Sequence, residues 1–285
     1  MTQNQFEKNA PKYDILLVRL EREVNRNIID NSKYLKAIVS PTTGIDHINI
    51  IEAKKRNIDI ICLKGEKKFL KTIPSTAEHT WALLLSIVRN ISQSFSDVKK
   101  YNWRKDIYRG MELKDKNLCI LGYGRLGSML AKYGLAFGMN VFFYDTDTKI
   151  KSKNKKIKRV KSLDELLKLA NILTIHIPLD SDTVGFIGEK QLSSLPKGAF
   201  LINTSRALIV DEKSLIKQLY IGHLKGAAVD VINNEIHLEK EKNNPLVKYA
   251  KKYDNLLITP HIGGATFESV EKADLFIFNK FINRF

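Results

Sequence analysis

Nine short runs of continuous apolar character punctuate the chain, each too brief for a typical helix and too uniformly apolar for a sheet with one wet face. They are Ile15–Leu20, Ala37–Ser40, Ile58–Leu63, Asn117–Leu121, Val141–Tyr144, Ile172–Ile177, Phe200–Asn203, Ala227–Val231 and Leu256–Thr259. Strands of this kind need cover on both faces, which predicts a parallel sheet flanked by helices. Segments with helical spacing lie between them: Ala77–Ile91, Arg125–Phe137, Leu163–Ala170 and Glu212–Tyr220. Ser162 and Glu165 form a capping-box pattern, while Asp211 and Gly222 are placed to open and close the last of these helices. The expected fold class is α/β.

Of the 285 residues, 44% are hydrophobic and 27% charged, which excludes a disordered or fibrous chain. The net charge of +16 favours anionic partners but says nothing about fold. No aromatic-interleaved basic motif supports a nucleic-acid partner. No window holds the 18 apolar residues of a membrane span, and Met1–Lys12 lack the apolar core of a signal peptide. Two cysteines, Cys62 and Cys119, are too few for a disulfide framework and are expected as buried thiols. The expectation is a soluble cytoplasmic protein with neither membrane nor nucleic-acid partner.

The segment Gly122-Tyr123-Gly124-Arg125-Leu126-Gly127 follows one apolar run and opens a helical segment. The next run ends at Asp145, 18 residues after Gly127. Strand, glycine turn, helix and acid together form the dinucleotide-binding pattern of a Rossmann-type, doubly wound sheet. Gly122 permits the tight turn, Gly124 lets backbone approach a pyrophosphate, and Gly127 lets helix and strand pack closely. The helix N-terminus offers N–H groups and a positive dipole end to phosphates. Asp145 would accept hydrogen bonds from ribose hydroxyls and repel a 2′-phosphate, which favours NAD over NADP.

Three ionisable residues each lie just beyond an apolar run: Arg206, Glu235 and His261. In an open α/β sheet, ligands bind outside the carboxyl ends of the strands, so the three can converge there. A guanidinium suits bidentate capture of a carboxylate. A histidine exchanges protons near neutral pH, and a carboxylate beside it orients the ring. Taken singly, each has an ordinary alternative: a salt-bridge partner, a surface carboxylate and a hydrogen-bonded loop residue.

At these positions the chain resembles the NAD-dependent D-2-hydroxyacid dehydrogenases, which include phosphoglycerate, glycerate/hydroxypyruvate and D-lactate dehydrogenases. The resemblance runs, in family order, through Ser40–Asp46, Thr76–His79, Gly122–Gly127, His176–Leu179, Ile202–Arg206, Val229-Asp230 and Thr259–Gly264. It implies Arg206 as the substrate-binding arginine, His261 as the acid/base and Glu235 as its paired carboxylate. Formate dehydrogenases of the family have glutamine at that last position, which sets this chain apart from that branch. The resemblance further implies cofactor contacts from Gly122, Tyr123, Gly124, Arg125, Leu126, Gly127, Asp145, His176, Pro178, Thr183, Thr204, Ser205, Arg206, Asp230, His261 and Gly263. Substrate contacts are implied for Thr43, Gly44, Arg206 and His261, with no metal.

The resemblance also implies two domains: an NAD-binding Rossmann domain over 77–264, and a smaller flavodoxin-like substrate domain from 1–76 with 265–285. The second is expected to be trimmed, because the family usually has a further strand and helix before Asp14–Leu20 and a longer C-terminal segment. A homodimer through the cofactor domain is implied as well. Ala207 stands where glycine commonly follows the arginine. The expected activity is hydride transfer between NAD(H) and a small 2-hydroxy or 2-oxo acid of D configuration. The alternative is an NAD(H)-sensing binding protein on the same scaffold with weak or no turnover.

Other features carry less. Lys149–Lys161 holds eight basic residues and no acidic one, and is expected to be a solvated loop. His47 and His79 have no partner pattern. Trp81 is expected in the core, and Arg104 at the surface.

Overall fold

Leu118 and Ile120 belong to one apolar cluster and Cys119 and Leu121 to another, so the strand they share is covered on both faces. This is the physical content of the continuous apolar runs. The computed structural model describes residues 2–238 and 242–284. The chain folds as two units, Met1–Ile73 with Ala265–Phe285, and Pro74–Gly264.

The first unit has a parallel sheet in the order β1 (Ile15–Leu17), β2 (Ala37–Ser40), β3 (Asp59–Cys62). Helix Phe267–Ile282 returns from the far end of the chain and buries Ala273 and Ile277 against Val39, Ile61 and Leu63. Phe276 stacks on Phe69 with centroids 4.0 Å apart. Arg19–Asp274, Lys280–Glu66 and Arg284–Asp59 ion pairs line the same docking. The run Ile15–Leu20 departs from expectation. Only Ile15–Leu17 is strand, and as an edge it covers one face, leaving Leu17 68% exposed. Cys62 is only partly covered, whereas Cys119 is buried and its thiol is pushed up to about 12 by burial.

Among the described residues, the second unit has seven parallel strands: β4 (Asn117–Leu121), β5 (Asn140–Tyr144), β6 (Ile157–Arg159), β7 (Ile172–Ile175), β8 (Ala199–Asn203), β9 (Leu224–Val229) and β10 (Leu256–Ile258). Their order across the sheet is β10-β9-β8-β7-β4-β5-β6, reversing direction at β4. One face carries helices Ser75–Val88 and Arg125–Ala136, the other Leu163–Leu169 and Glu212–Tyr220. Trp81 lies in the first of these cores.

Strand β6 was hidden inside the basic run expected as a solvated loop. Three residues at a sheet edge need little apolar signal. Ile157 and Val160 are buried between exposed lysines, and Val160 N–H donates to the Phe143 carbonyl at 3.0 Å. The helix expected over Ala77–Ile91 ends at Val88, because Asn90 turns left-handed (φ 53°) and starts a second helix, Ile91–Val98. The capping box at Ser162 is half formed. Ser162 Oγ accepts from Glu165 N–H at 3.1 Å, but the Glu165 carboxylate accepts from Lys161 N–H at 2.8 Å instead of reaching the cap.

Candidate active site

Strand register aligns the site. Tyr144, Leu121, Ile175, Asn203, Val229 and Ile258 are partners across β5, β4, β7, β8, β9 and β10. The next residue on each strand is therefore Asp145, Gly122, His176, Thr204, Asp230 or Thr259, and all six leave the sheet at its carboxyl edge. Residues from six separate motifs share one rim because parallel strands in register end together.

The glycine turn follows β4. Gly122 has φ +89°, and a Cβ there would sit 2.7 Å from the His176 carbonyl oxygen. A Cβ on Gly127 would lie 2.2 Å from the Gly122 oxygen, so helix and turn touch through bare backbone. Tyr123 N–H donates to Asp145 Oδ2 at 2.8 Å, and Asp147 N–H donates to Oδ1 at 3.0 Å. The acid thus anchors the turn as well as facing the rim. The Tyr123 ring stacks on Phe143 with centroids 3.9 Å apart. Leu126 packs on the core beneath. Arg125 opens the helix, and burial pushes its guanidinium below its ordinary value.

The acid/base candidate sits after β10. His261 adopts a left-handed backbone (φ 55°), uncommon for a residue with a side chain but several-fold enriched for histidine among such cases. Its Nδ1 pairs with Glu235 Oε1 at 2.5 Å. Glu235 begins a 3₁₀ turn, Glu235–His237, entered through left-handed Asn234. The His261 main-chain N–H donates to the Asp230 carbonyl at 2.8 Å. Asp230, only 1% exposed, accepts at its carboxylate from Thr259 Oγ1 (2.6 Å), His79 Nε2 (3.2 Å), Ile262 N–H (2.9 Å) and Gly263 N–H (2.7 Å). Burial would push this carboxyl up, but those donors outweigh it and hold the group below its ordinary range. Asp230 and Gly263 thus build the His261 loop. His79 is not the unpartnered residue expected: its ring bridges Asp230 and Thr259, with Thr259 Oγ1 at 3.0 Å.

Arg206 follows β8 on a loop organised by Asn203, which sequence reasoning missed. The Asn203 amide donates to the Arg206 carbonyl at 3.0 Å, and its oxygen accepts from Ser205 N–H (3.0 Å) and Ser205 Oγ (2.8 Å). Thr204 is buried against Thr80, hydroxyl to hydroxyl at 2.7 Å. Ala207 starts a 3₁₀ turn without positive φ, so the position does not require glycine. After β7, Thr183 Oγ1 closes a loop by donating to the Pro178 carbonyl at 2.9 Å. The His176 ring nitrogens are buried and have no partner among the described residues, and burial pushes the imidazole down to about 4.

In the first unit, Thr42 Oγ1 donates to the Gly44 carbonyl at 2.7 Å and meets Ser40 Oγ at 2.8 Å, shaping the Thr43-Gly44 loop. His47 joins it through Ser40 Oγ, 3.3 Å away, a partner its sequence context did not suggest. Arg104 is engaged by Asp97 through two contacts, 2.9 and 2.7 Å.

The glycine rim fits a dinucleotide on its own geometry. A Cβ on Gly124 would meet nothing within 4 Å, and Gly124 N-caps its helix without a side chain. A helix N-terminus directs its first N–H groups outward, the geometry that suits a phosphate. Each Asp145 oxygen has accepted one backbone hydrogen bond and has a lone pair left for a ribose hydroxyl.

Residues 81–263 match the domain family described as D-isomer specific 2-hydroxyacid dehydrogenase, NAD binding domain. The chain is 32% identical over 284 residues to the D-3-phosphoglycerate dehydrogenase of Archaeoglobus fulgidus, covering 99% of this chain and 51% of that protein. It is 33% identical over 265 residues to the glyoxylate reductase of Thermococcus litoralis, covering 90% and 76%. A solved structure of D-lactate dehydrogenase from Aquifex aeolicus, complexed with NAD and lactic acid, superposes with a TM-score of 0.83 at 30% identity, over 97% of this chain and 85% of that one. The chain spans about half the length of the D-3-phosphoglycerate dehydrogenases of Archaeoglobus fulgidus, Methanocaldococcus jannaschii and Bacillus subtilis.

Proposed function

Because the chain belongs to the D-isomer specific 2-hydroxyacid dehydrogenase family, we propose that it transfers a hydride between NAD(H) and a small 2-hydroxy or 2-oxo acid of D configuration. The observation that carries this reading is the His261–Glu235 pair, held at the same strand-end rim as the Gly122–Gly127 turn and Asp145. Bound NADH supplies the hydride. Arg206 holds the substrate carboxylate and polarises the neighbouring carbonyl. Glu235 accepts from His261 Nδ1–H, which orients the ring and leaves Nε2 as the proton-carrying atom. In reduction, protonated His261 gives its Nε2 proton to the carbonyl oxygen. In oxidation, the neutral ring takes the hydroxyl proton back. Asp145 favours NADH over NADPH by charge.

The test is titration with NADH and NADPH, followed by NADH oxidation with glyoxylate, pyruvate, hydroxypyruvate and phosphohydroxypyruvate. Tight NADH binding without turnover of any acid would replace this reading with the NAD(H)-sensing one. Stronger binding of NADPH would overturn the role given to Asp145.

A homodimer belongs to the same reading. Helix Ile91–Val98 leaves Ile91, Phe95 and Val98 uncovered at helical spacing, and Trp103 beyond it is 84% exposed. Exposed apolar side chains at helical spacing support a protein interface at this helix. A monomer at micromolar concentration in sedimentation equilibrium would exclude it. No helix among the described residues is long and apolar enough to cross a membrane, and a cytoplasmic location fits a substrate of this class.

A further inference from the structure

Glu235 stands on a segment with little regular structure, so something must set where its carboxylate points. Val231 and Ile232 are buried and anchor the exit from β9, and the 3₁₀ turn starts at Glu235 itself. Between them lies Asn233. Its main-chain N–H donates to Glu212 Oε1 at 2.7 Å, and its carbonyl accepts from the Asn244 amide at 3.0 Å. The peptide groups on either side of Asn233 are gripped from two different helices, Glu212–Tyr220 and Pro245–Ala250.

Neither grip is explained by its own helix. Asp211 already caps the first helix through Ser214 N–H at 2.7 Å, so Glu212 is not needed there. Instead Glu212 is buried, 7% exposed, and burial pushes its carboxyl above the ordinary range, an effect the Asn233 N–H opposes. A buried carboxyl is costly unless it makes such a bond. Asn244 caps the second helix with its oxygen (Val247 N–H, 3.1 Å), and its amide holds the Asn233 carbonyl while also donating toward the Glu212 carboxylate.

We propose that Glu212, through the Asn233 main chain and with Asn244 opposite, is a positioning residue that sets Glu235 on His261 Nδ1. The proposal deepens the dehydrogenase reading and rests on it for its kinetic consequence. Its structural core, the Glu235–His261 contact, is measurable without cofactor or turnover.

The experiment compares Glu212→Ala, Glu212→Gln, Glu235→Gln and the double variant Glu212→Ala/Glu235→Gln. The first readout is the downfield proton resonance of the hydrogen-bonded His261 Nδ1–H, assigned by its loss in His261→Asn. It should persist in Glu212→Gln, which keeps an acceptor oxygen for Asn233, and should be lost or broadened in Glu212→Ala. The second is kcat/KM with the 2-oxo acid the wild type turns over. Displacing a catalytic group by about 1 Å can cost roughly 10²-fold, so Glu212→Ala should lose about 10- to 10²-fold, mostly in kcat. That loss should largely disappear in the Glu235→Gln background, because a residue acting through Glu235 has nothing left to position. NADH affinity should be unchanged.

An intact resonance in Glu212→Ala, or a kinetic loss that is the same with and without the Glu235 carboxylate, would overturn the proposal. If Glu212→Ala does not fold, Asn244→Ser supplies the second arm: it keeps a capping oxygen and removes the amide donor without adding a charge beside Glu212, and the same resonance should weaken. Wild-type protein that shows the resonance but turns over no acid would sink the dehydrogenase reading while leaving the positioning contact standing.

Discussion

The main-chain N–H of His261 donates to the carbonyl of Asp230 at 2.8 Å, while the Asp230 carboxylate takes the next two N–H groups, Ile262 at 2.9 Å and Gly263 at 2.7 Å. Three successive amides converge on one buried residue. This holds His261 in its left-handed conformation, a state that costs on the order of 1–3 kcal/mol and persists only where surrounding contacts over-determine it.

Removing the Asp230 carboxylate should therefore do more than remove one hydrogen bond. Asp230→Ala leaves Thr259, His79, Ile262 and Gly263 without their acceptor, and is expected to cost about 3 kcal/mol or more in urea unfolding. Asp230→Asn keeps one acceptor oxygen and should cost less. The folded-state carboxyl lies below its ordinary 3.8, so its stabilisation is complete above that value and is lost as pH falls through the folded-state value. Equal unfolding midpoints for wild type and Asp230→Ala would contradict the network.

His261→Ala should lower turnover by roughly 10²–10⁴-fold, the usual worth of a general acid. NADH affinity, measured by titration calorimetry, should hardly move, since the imidazole is assigned to the substrate. Retention of most activity with chemistry rate-limiting would reassign the acid.

Two glycines of one turn should fail differently. Gly127→Ala places a methyl 2.2 Å from the Gly122 oxygen, so the turn must shift and thermal stability should drop. Gly124→Ala meets no protein atom within 4 Å, so its melting temperature should stay near wild type. On the proposed reading its methyl would stand in the approach to the pyrophosphate, and NADH affinity should fall about tenfold or more, or about 1.4 kcal/mol. A Gly124→Ala protein with unchanged NADH affinity would displace the phosphates from this turn.

His176 gives a pH signature. In the folded protein its imidazole stays neutral down to about 4, whereas an unfolded chain takes up the proton near the ordinary 6.5. Its contribution is present above 6.5 and is lost progressively as pH falls toward 4, because the unfolded state binds the proton first. Replacing it with Asn should flatten the decline in urea midpoint across that window. Parallel pH curves for wild type and His176→Asn would show that another group controls it.

Much of this was legible beforehand for definite reasons. Asn117–Leu121 is found as a strand to the residue, because four successive apolar side chains between a charged stretch and a glycine turn admit little else. The helix after Asp211 begins where its cap predicts. Strand β6 was not legible, since at an edge a single inward Ile157 suffices and the lysines around it point to water. The break at Asn90 was missed because left-handed asparagine leaves apolar periodicity intact on both sides.

The linear chain determined the alternation of apolar runs and helices, the glycine turn with its acid, and the identity of the residues that carry protons and charge. These depend on local spacing and side-chain chemistry, which a sequence displays directly. Which of those residues meet was decided only by the folded sheet. His79 and Asp230 are 151 positions apart, and Glu235 reaches His261 across 26. Register between parallel strands brings Asp145, Gly122, His176, Thr204, Asp230 and Thr259 to one rim, and that register is set by packing two cores against opposite faces of the sheet. Such partnerships are long-range consequences of burial, so no single stretch of sequence contains them.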